Sequence, residues 1–272
     1  MADAPAFLTK FAPILDELQD REEGSKIVAV VTMTGSCCPI TDAHCMAFDC
    51  ARELLLGTDE RRPVAPETFG EVLGLLSLNG DKHVGEKLRM KGLPAISYWD
   101  RAELTTLATS ERPWMDFNPL REPHAVQALQ HRWVNLRFIR YALNGADDVC
   151  KFQKWRGCTE RRRSITMGRP GFTKQVIDGA RRHGVPLDTG YFIVGPELPD
   201  ISSTAVRQAL QEEHGNQPEY DPTVEPCKKQ DSSSCPVMFQ QQIVLICIDN
   251  IDVTPCGHHV DIIPHESYKS WR

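Results

Sequence analysis

The residues best suited to chemistry lie in a strand–turn–helix segment near the N-terminus. The apolar run 26–34 is rich in β-branched residues and stops at Gly35-Ser36, which predicts a parallel strand buried on both faces with a turn at its end. Backbone N–H groups in such a turn, and at the start of the helix after it, bind anions. His44 falls in the first turn of that helix, where its imidazole can reach the same anion. The segment therefore predicts a phosphate site with a catalytic hydrogen-bond donor.

The helix after this turn is predicted from its own start and stop signals. Pro39 and Thr41-Asp42 open an amphipathic pattern that extends to about Leu56, and Gly57 is the predicted C-cap. Taken alone, the segment is also compatible with an ordinary strand–helix turn that carries a surface histidine. The phosphate interpretation therefore depends on what else in the chain reaches the same place.

A second segment, Asp200–Leu210, combines hydroxyl groups with an arginine at helical spacing. Ser203 and Thr204 stand at a predicted helix start, where hydroxyls cap free N–H groups and can bond phosphate oxygens. Arg207 follows one turn later, so the three side chains share one edge of a helix predicted to end near Glu213. An always charged, forked donor beside a helix N-terminus suits a triphosphate. The alternative is an ordinary capped helix with a solvent-facing arginine.

Together the two segments resemble a known pair of signatures. Gly35-Ser36-x-x-Pro39-Ile40-Thr41-x-x-His44 and Ile201-Ser202-Ser203-Thr204-x-x-Arg207 are similar to those of the nucleotidyltransferase α/β phosphodiesterase superfamily, in its nicotinamide or nicotinate mononucleotide adenylyltransferase branch. Thr41 has the form found in the eukaryotic members of that branch. The resemblance covers roughly residues 26–212.

The resemblance implies adenylyl transfer from ATP to nicotinamide mononucleotide (NMN) or nicotinate mononucleotide (NaMN). The products would be NAD or its deamido form, and pyrophosphate. His44 and Arg207 are the implied catalytic residues. The implied ATP-binding residues are Gly35, Ser36, Cys37, Thr41, His44, Ser203, Thr204 and Arg207. Mg²⁺ is the implied divalent cation, held mainly by substrate phosphates and water rather than by protein ligands.

A third set of residues points to a mononucleotide as the acceptor. Gly145-Ala146-Asp147 followed by Trp155 resembles the family segment in which backbone and carboxylate groups hold ribose and nicotinamide and a tryptophan stacks on the pyridine ring. An electron-poor ring on an indole face is physically sensible, although a half-buried packing tryptophan is the alternative. The implied mononucleotide-binding residues are Lys91, Gly145, Asp147, Trp155, Arg169 and Glu197.

Three functional alternatives remain open. The first is another nucleotidyltransferase of the same fold, transferring to pantetheine phosphate or transferring a cytidylyl group. The second is a catalytically silent nucleotide-binding protein, supported by the replacement of the family's Phe-Asn with Cys37-Cys38. The third is an enzyme that uses one of these thiols as its nucleophile. A helix N-terminus lowers thiol pKa values, so a reactive, redox-sensitive cysteine is a further hypothesis, with two small packed residues as its alternative.

Composition and charge exclude several classes of partner. The 272 residues are 41% hydrophobic with a formal net charge of −6, which argues against a general nucleic-acid binder. No run approaches membrane-spanning length and no targeting pattern is visible, so we expect a cytoplasmic or nuclear protein without a membrane partner; a homo-oligomer is compatible with the sequence. The 10 cysteines form no Cys-x-x-Cys pair. Free thiols are therefore favoured over a metal site, including at Cys256-Gly257-His258-His259.

Apolar and amphipathic segments alternate along the chain. The strands predicted after the first are 69–77, 114–117, 137–143, 164–167 and 191–194, and the helices predicted after the first are 97–109, 123–135 and 173–183. This alternation predicts an α/β, Rossmann-like, doubly wound parallel sheet with helices on both faces. The expected domains are 1–214, a nucleotidyltransferase domain with an amphipathic N-terminal helix kinked at Pro13, and 215–272, an irregular C-terminal extension of linker and Cys/His residues packed on it.

Overall fold

A sheet of six parallel strands positions the functional residues. The computed structural model describes residues 5–58, 62–93, 95–199, 201, 203–204 and 206–207. The strands are β1 (Ile27–Gly35), β2 (Glu71–Leu78), β3 (Met115–Phe117), β4 (Arg137–Gly145), β5 (Arg163–Gly168) and β6 (Phe192–Glu197). Their order is β3-β2-β1-β4-β5-β6, and neighbouring strands are parallel. Strand order therefore reverses between β1 and β4, which opens a crevice beyond the carboxyl ends of these strands.

Helices cover both faces of the sheet. They are α1 (Ala6–Lys10), α2 (Ala12–Asp20), α3 (Asp42–Leu56), α4 (Asp81–Arg89), α5 (Tyr98–Ala108), α6 (Glu122–Arg132), α7 (Ala146–Phe152) and α8 (Thr173–Arg182), with a short 3-10 helix at Lys154–Gly157. The sheet order and the two helical layers confirm the predicted α/β, Rossmann-like, doubly wound fold.

The central strand shows why an unbroken apolar run was needed there. Val28 and Val30 pack with α1, α2 and α6 on one face, while Ala29 and Val31 pack with α3 on the other. All four side chains are fully buried. Complete burial of a valine contributes about 1.5–3 kcal/mol, so β1 anchors both layers and fixes where its carboxyl end lies.

The N-terminal segment is helical, as predicted, but it forms two helices rather than one helix kinked at Pro13. The helix is interrupted at Phe11, between α1 and α2, and Pro13 is the second residue of α2. A proline is tolerated at that position because the first N–H groups of a helix have no partner within the helix.

Two helices were not predicted from the sequence. Helix α4 carries only Val84 and Leu88 as buried residues, one turn apart on an otherwise charged segment, so its apolar stripe is too short to give a clear period. Helix α7 is 7 residues long, shorter than the window in which a helical period is recognised.

Several sequence predictions lie outside the described residues. These are the extension 215–272, the end of the helix that contains Ser203 and Arg207, and the packing of that extension on the domain. Within the described part of the chain, no helix combines the length and apolar character needed to cross a bilayer.

Candidate functional site

Two neighbouring cavities lie at the carboxyl edge of the sheet. The first has a volume of about 180 Å³ and the second about 290 Å³. His44 and Ser203 line both cavities, so these two residues form the boundary between them. The crevice produced by the strand-order reversal is therefore divided into two compartments that share a wall.

His44 is positioned by the start of α3. Thr41 is the N-cap residue of this helix, and its main-chain N–H donates to Nδ1 of His44 over 3.1 Å. The Thr41 hydroxyl lies 2.8 Å from the same nitrogen. The histidine thus takes the place that Glu or Gln usually occupies in a capping box. Because Nδ1 accepts a hydrogen bond, the neutral ring carries its proton on Nε2.

Burial lowers the pKa of His44 below its usual value of 6.5, and the hydrogen bond that Nδ1 accepts from Thr41 also favours the neutral ring. The ring is therefore neutral at pH 7. A neutral imidazole with its hydrogen on Nε2 can donate to a phosphoryl oxygen without taking a proton from the ligand or giving one up.

The second sequence segment reaches the same place. Ser203 Oγ donates to the carbonyl of Pro39 over 2.8 Å, and Nη1 of Arg207 donates to the carbonyl of Cys38, 169 residues away in the chain. The only hydroxyl hydrogen of Ser203 is used in this contact, so Ser203 fastens the two segments together. Arg207 lines the first cavity with His44. The two segments therefore meet at the first cavity, as the sequence predicted.

The guanidinium of Arg207 is buried without a carboxylate partner among the described residues. It is 7% exposed, and Nη2 donates to Thr204 Oγ1 over 3.0 Å. Its Nε atom is buried and has no partner in the part of the chain that the structure describes. Burial lowers the pKa of this arginine. A buried cation held only by neutral acceptors retains the capacity to bind an anion.

Two lysines also line the first cavity. Lys87 and Lys91 both line it, and Lys87 Nζ lies 3.5 Å from Ser36 Oγ. With Arg207, the described lining includes three basic side chains and no carboxylate. Lys91 was predicted to bind the acceptor, whereas Lys87, on α4, was not predicted as a site residue; Lys91 follows the end of that helix.

The second cavity has a different character. Asp147 and Arg169 line it and pair with each other, with Nη1 of Arg169 3.1 Å from Oδ2 of Asp147. Gly145 also lines it. The rest of its wall is largely apolar and includes Met33, Ala47, Leu143, Met167 and Leu198. An apolar compartment with a few convergent polar groups suits a nucleoside, whose hydroxyls can bond to a carboxylate.

Three predicted site residues lie next to the cavities without lining them. Gly35 ends β1, and Thr41 is buried as the N-cap that holds His44. Glu197 ends β6, where its Oε1 accepts from Thr173 Oγ1 over 2.6 Å. Their contacts make them supports for neighbouring groups rather than parts of the cavity surface.

Trp155 departs from the expectation that its ring stacks on a ligand. It is 6% exposed and packs in a cluster with Ala146, Val149 and Val176. A Cβ atom added at Gly179 would approach Trp155 Cζ2 to 2.6 Å, which shows how closely α8 covers the indole. The ring lines neither cavity, so in this structure it packs the core.

The hypothesis of a reactive thiol at the turn is wrong for Cys37. Cys37 is 2% exposed, and burial raises its pKa to about 12, despite the opposing influence of the nearby Arg101 and Lys87. The low dielectric around the thiol outweighs the helix N-terminus and the cations that were expected to favour the thiolate. The alternative, a small packed residue, agrees with this burial.

Comparisons with known proteins give one finding of similarity. No protein-family model matches the chain, and no curated protein sequence matches it. Among solved structures, two similar chains are Plasmodium falciparum nicotinic acid mononucleotide adenylyltransferase complexed with NaAD and the same enzyme complexed with APC. Each is 15% identical with a TM-score of 0.41, and the match covers 66% of this chain and 82% of the other. Similarity at this level carries no information about ligands, so function must be inferred from this chain's own residues.

Proposed function

We propose that the protein transfers the adenylyl group of ATP to nicotinamide or nicotinate mononucleotide, forming NAD or its deamido form and releasing pyrophosphate. One observation carries the proposal. His44 and Arg207, from distant parts of the chain, line a single cavity. Its described lining contains three basic side chains, Lys87, Lys91 and Arg207, and no carboxylate. Such a cavity favours several phosphate groups over any other common ligand.

Two groups of lining residues suit the two reacting phosphates. Arg207 and the Thr204 hydroxyl suit the β- and γ-phosphates of ATP, and Lys87, Lys91 and Ser36, which line the same cavity, suit the phosphate of the acceptor. The acceptor phosphate is already an anion at neutral pH, so its attack on the α-phosphorus needs no general base. Its oxygen forms the new P–O bond while the bond to the β-phosphate oxygen breaks, and pyrophosphate leaves with the electron pair.

His44 has the geometry of a transition-state donor in this reaction. It lies where the cavities meet, and its neutral ring carries hydrogen on Nε2. Charge accumulates on the non-bridging oxygens as the phosphorus is attacked. A fixed N–H group directed at those oxygens stabilises the transition state more than the ground state.

The described residues do not fit a magnesium ion held by the protein. Mg²⁺ prefers carboxylate and water oxygens, and no group of acidic, histidine or cysteine side chains with the arrangement of a metal site occurs in the described part of the chain. A magnesium ion that accompanies ATP would enter as part of the substrate.

The second cavity is the proposed location of the nucleoside part of the acceptor. Asp147 offers carboxylate oxygens for ribose hydroxyls, Arg169 offers a cation, and Gly145 allows close approach of the backbone. Glu197 supports this region through Thr173. The burial of Trp155 leaves ring recognition to the apolar wall, so the choice among acceptors must be measured directly.

A substrate panel tests the proposal. Purified full-length protein is incubated with ATP and Mg²⁺ and with NMN, NaMN or 4′-phosphopantetheine in turn, and with CTP in place of ATP, while pyrophosphate release and dinucleotide formation are followed. We expect dinucleotide with ATP and at least one of the two mononucleotides. Turnover only with phosphopantetheine or CTP would replace the proposed reaction by another nucleotidyl transfer. ATP binding without turnover on any acceptor would identify a silent nucleotide-binding protein.

A further inference from the structure

We propose that Arg101 is a positioning residue that sets the shape of the first cavity without touching the ligand. Arg101 is on α5, is 0% exposed, and is not among the residues that line either cavity. The inference uses the proposed function only to name the ligand as a triphosphate. No sequence motif includes this residue.

The guanidinium of Arg101 joins three segments through four hydrogen bonds. Nη1 donates to the carbonyl of Ser36 over 2.8 Å, and Nε donates to the carbonyl of Ile96 over 3.1 Å. Nη2 donates to the carbonyl of Asn79 over 3.0 Å and to Oδ1 of Asp81 over 2.9 Å. One side chain thus holds three segments together: the phosphate-binding turn, the junction of β2 and α4, and the loop before α5.

The bond to Ser36 fixes the orientation of a main-chain N–H group. A trans peptide unit is planar with its C=O and N–H pointing in opposite directions. Holding the Ser36 carbonyl toward Arg101 therefore directs the N–H of Cys37 away from it. Cys37 has φ of 37°, a left-handed conformation that is unfavourable for a residue with a side chain. Arg101 supplies part of the bonding that holds this turn in place.

The bonds to Asn79 and Asp81 hold the start of the helix that carries Lys87. Asp81 is the first residue of α4, the helix that carries Lys87 and precedes Lys91, and both lysines line the cavity. One buried side chain therefore sets the separation between the turn and the lysine-bearing helix. A phosphate chain that contacts both the turn and the lysines requires that separation to be constant.

Arginine suits this role because of its shape rather than its charge. Asp81 pairs with it at 2.9 Å, but three of the four bonds of Arg101 go to neutral carbonyl groups. Its rigid fork supplies several donors at fixed angles, whereas an ammonium group on a flexible stem cannot reproduce them. A lysine at position 101 would keep the charge and lose the alignment.

Arg163 provides a matched control. It is also buried, at 5% exposed, and it also makes several bonds, to Glu67, to Tyr141 and to the carbonyl of Glu160. It is the first residue of β5 and lines neither cavity. A general loss of stability should follow from changing either arginine, whereas a change in the phosphate site should follow only from changing Arg101.

The experiment compares Arg101→Lys and Arg101→Met with Arg163→Lys and Arg163→Met in the full chain. Binding of inorganic triphosphate is measured by calorimetry at a temperature where circular dichroism shows each variant folded. We expect Arg101→Lys to weaken binding about tenfold, as for one misaligned charged hydrogen bond, and Arg163→Lys to leave it unchanged. KM for ATP should rise in Arg101→Lys more than kcat falls. If Arg101→Met does not fold, the comparison of Arg101→Lys with Arg163→Lys decides.

Three results would overturn the inference: unchanged triphosphate binding in Arg101→Lys, equal weakening in Arg101→Lys and Arg163→Lys, or no triphosphate binding by the wild-type chain. Selective weakening in Arg101→Lys supports it even when no dinucleotide forms with NMN or NaMN. In that case the proposed reaction fails while the positioning role stands.

Discussion

Arg163 and Arg207 are two buried arginines near opposite ends of the strands of one sheet, and they differ in the groups that accept their hydrogen bonds. At the amino edge, two nitrogens of Arg163 bond to the carboxylate of Glu67. At the carboxyl edge, the described contacts of Arg207 are the carbonyl of Cys38 and the hydroxyl of Thr204. The charge of Arg163 is therefore paired with a carboxylate of the protein, whereas the described partners of Arg207 are neutral and leave its charge available to a bound anion.

The pKa values of the two residues follow this difference. Burial alone would lower the pKa of Arg163, but its bonds to Glu67 and Tyr141 raise the pKa above its usual value. Burial lowers the pKa of Arg207, and the Cys38 contact opposes that only in part. A structural cation is paired with an anion of the same chain, whereas a binding cation is left for an anion from outside.

The largest effect is expected from breaking the pair of Arg163 and Glu67. Arg163→Met should lower the free energy of unfolding by up to about 3–5 kcal/mol, because the half-buried Glu67 keeps only the more distant, exposed Arg137, 3.9 Å away. Turnover at a temperature where the variant is folded should stay near the wild-type value. Urea unfolding and steady-state kinetics measure the two quantities. A large fall in kcat with little loss of stability would contradict the division between the edges.

The next effect concerns the donor at the carboxyl edge. His44→Ala should lower kcat by about 10²–10³, as for one lost donor to a developing charge, while ATP still binds. His44→Gln is the matched control, because glutamine at this helix position can accept from the Thr41 N–H as the imidazole does. The control should recover stability without recovering kcat. Near-normal kcat in His44→Ala would remove His44 from the mechanism.

A smaller effect contrasts Arg207 directly with Arg163. Arg207→Met should weaken ATP binding by about 1.5–3 kcal/mol, the range for a hydrogen bond to a charged group. Its melting temperature should stay the same or rise, because the substitution removes a buried cation that has no carboxylate partner among the described residues. Calorimetry of ATP binding and thermal unfolding test the two parts. A fall in stability like that of Arg163→Met would show that Arg207 is also structural.

The smallest effect is a pH dependence of stability. The folded protein holds His44 with a lowered pKa, so the unfolded chain binds a proton more readily. Above pH 6.5, the usual histidine value, this difference contributes its full stability, and the contribution is lost as the pH falls through the folded pKa. His44→Gln should therefore show a shallower loss of stability on acidification than the wild type. Identical acid unfolding profiles would contradict the assignment of a neutral ring.

Local patterns made much of this structure predictable. The apolar run of β1 and the cap and stop signals at Thr41 and Gly57 depend on neighbouring residues, and the structure has the strand and helix there. The parallel order follows from alternation of strands and helices. Because parallel strands share one carboxyl edge, the meeting of His44 with Arg207 could also be anticipated.

The rest depends on contacts between distant residues. Lys87 and Arg101 gain their significance from bonding to Ser36, 51 and 65 residues away, which no local pattern encodes. Trp155 matched a signature by position, but signatures do not report how closely Gly179 and α8 pack against the indole. The two interpretations of Cys37, a reactive thiol and a small packed residue, could not be separated from the sequence, because burial, which decides its pKa, is a property of the whole fold.

The wall shared by His44 and Ser203 has a consequence for inhibition. A single molecule with a nucleoside at one end and a polyphosphate tail at the other could occupy both chambers at once. Joining the two moieties makes the second contact intramolecular, so its affinity should exceed that of either fragment through effective concentration alone. The linker of such a compound would have to pass His44 and Ser203, so its length would decide which bridging compounds fit.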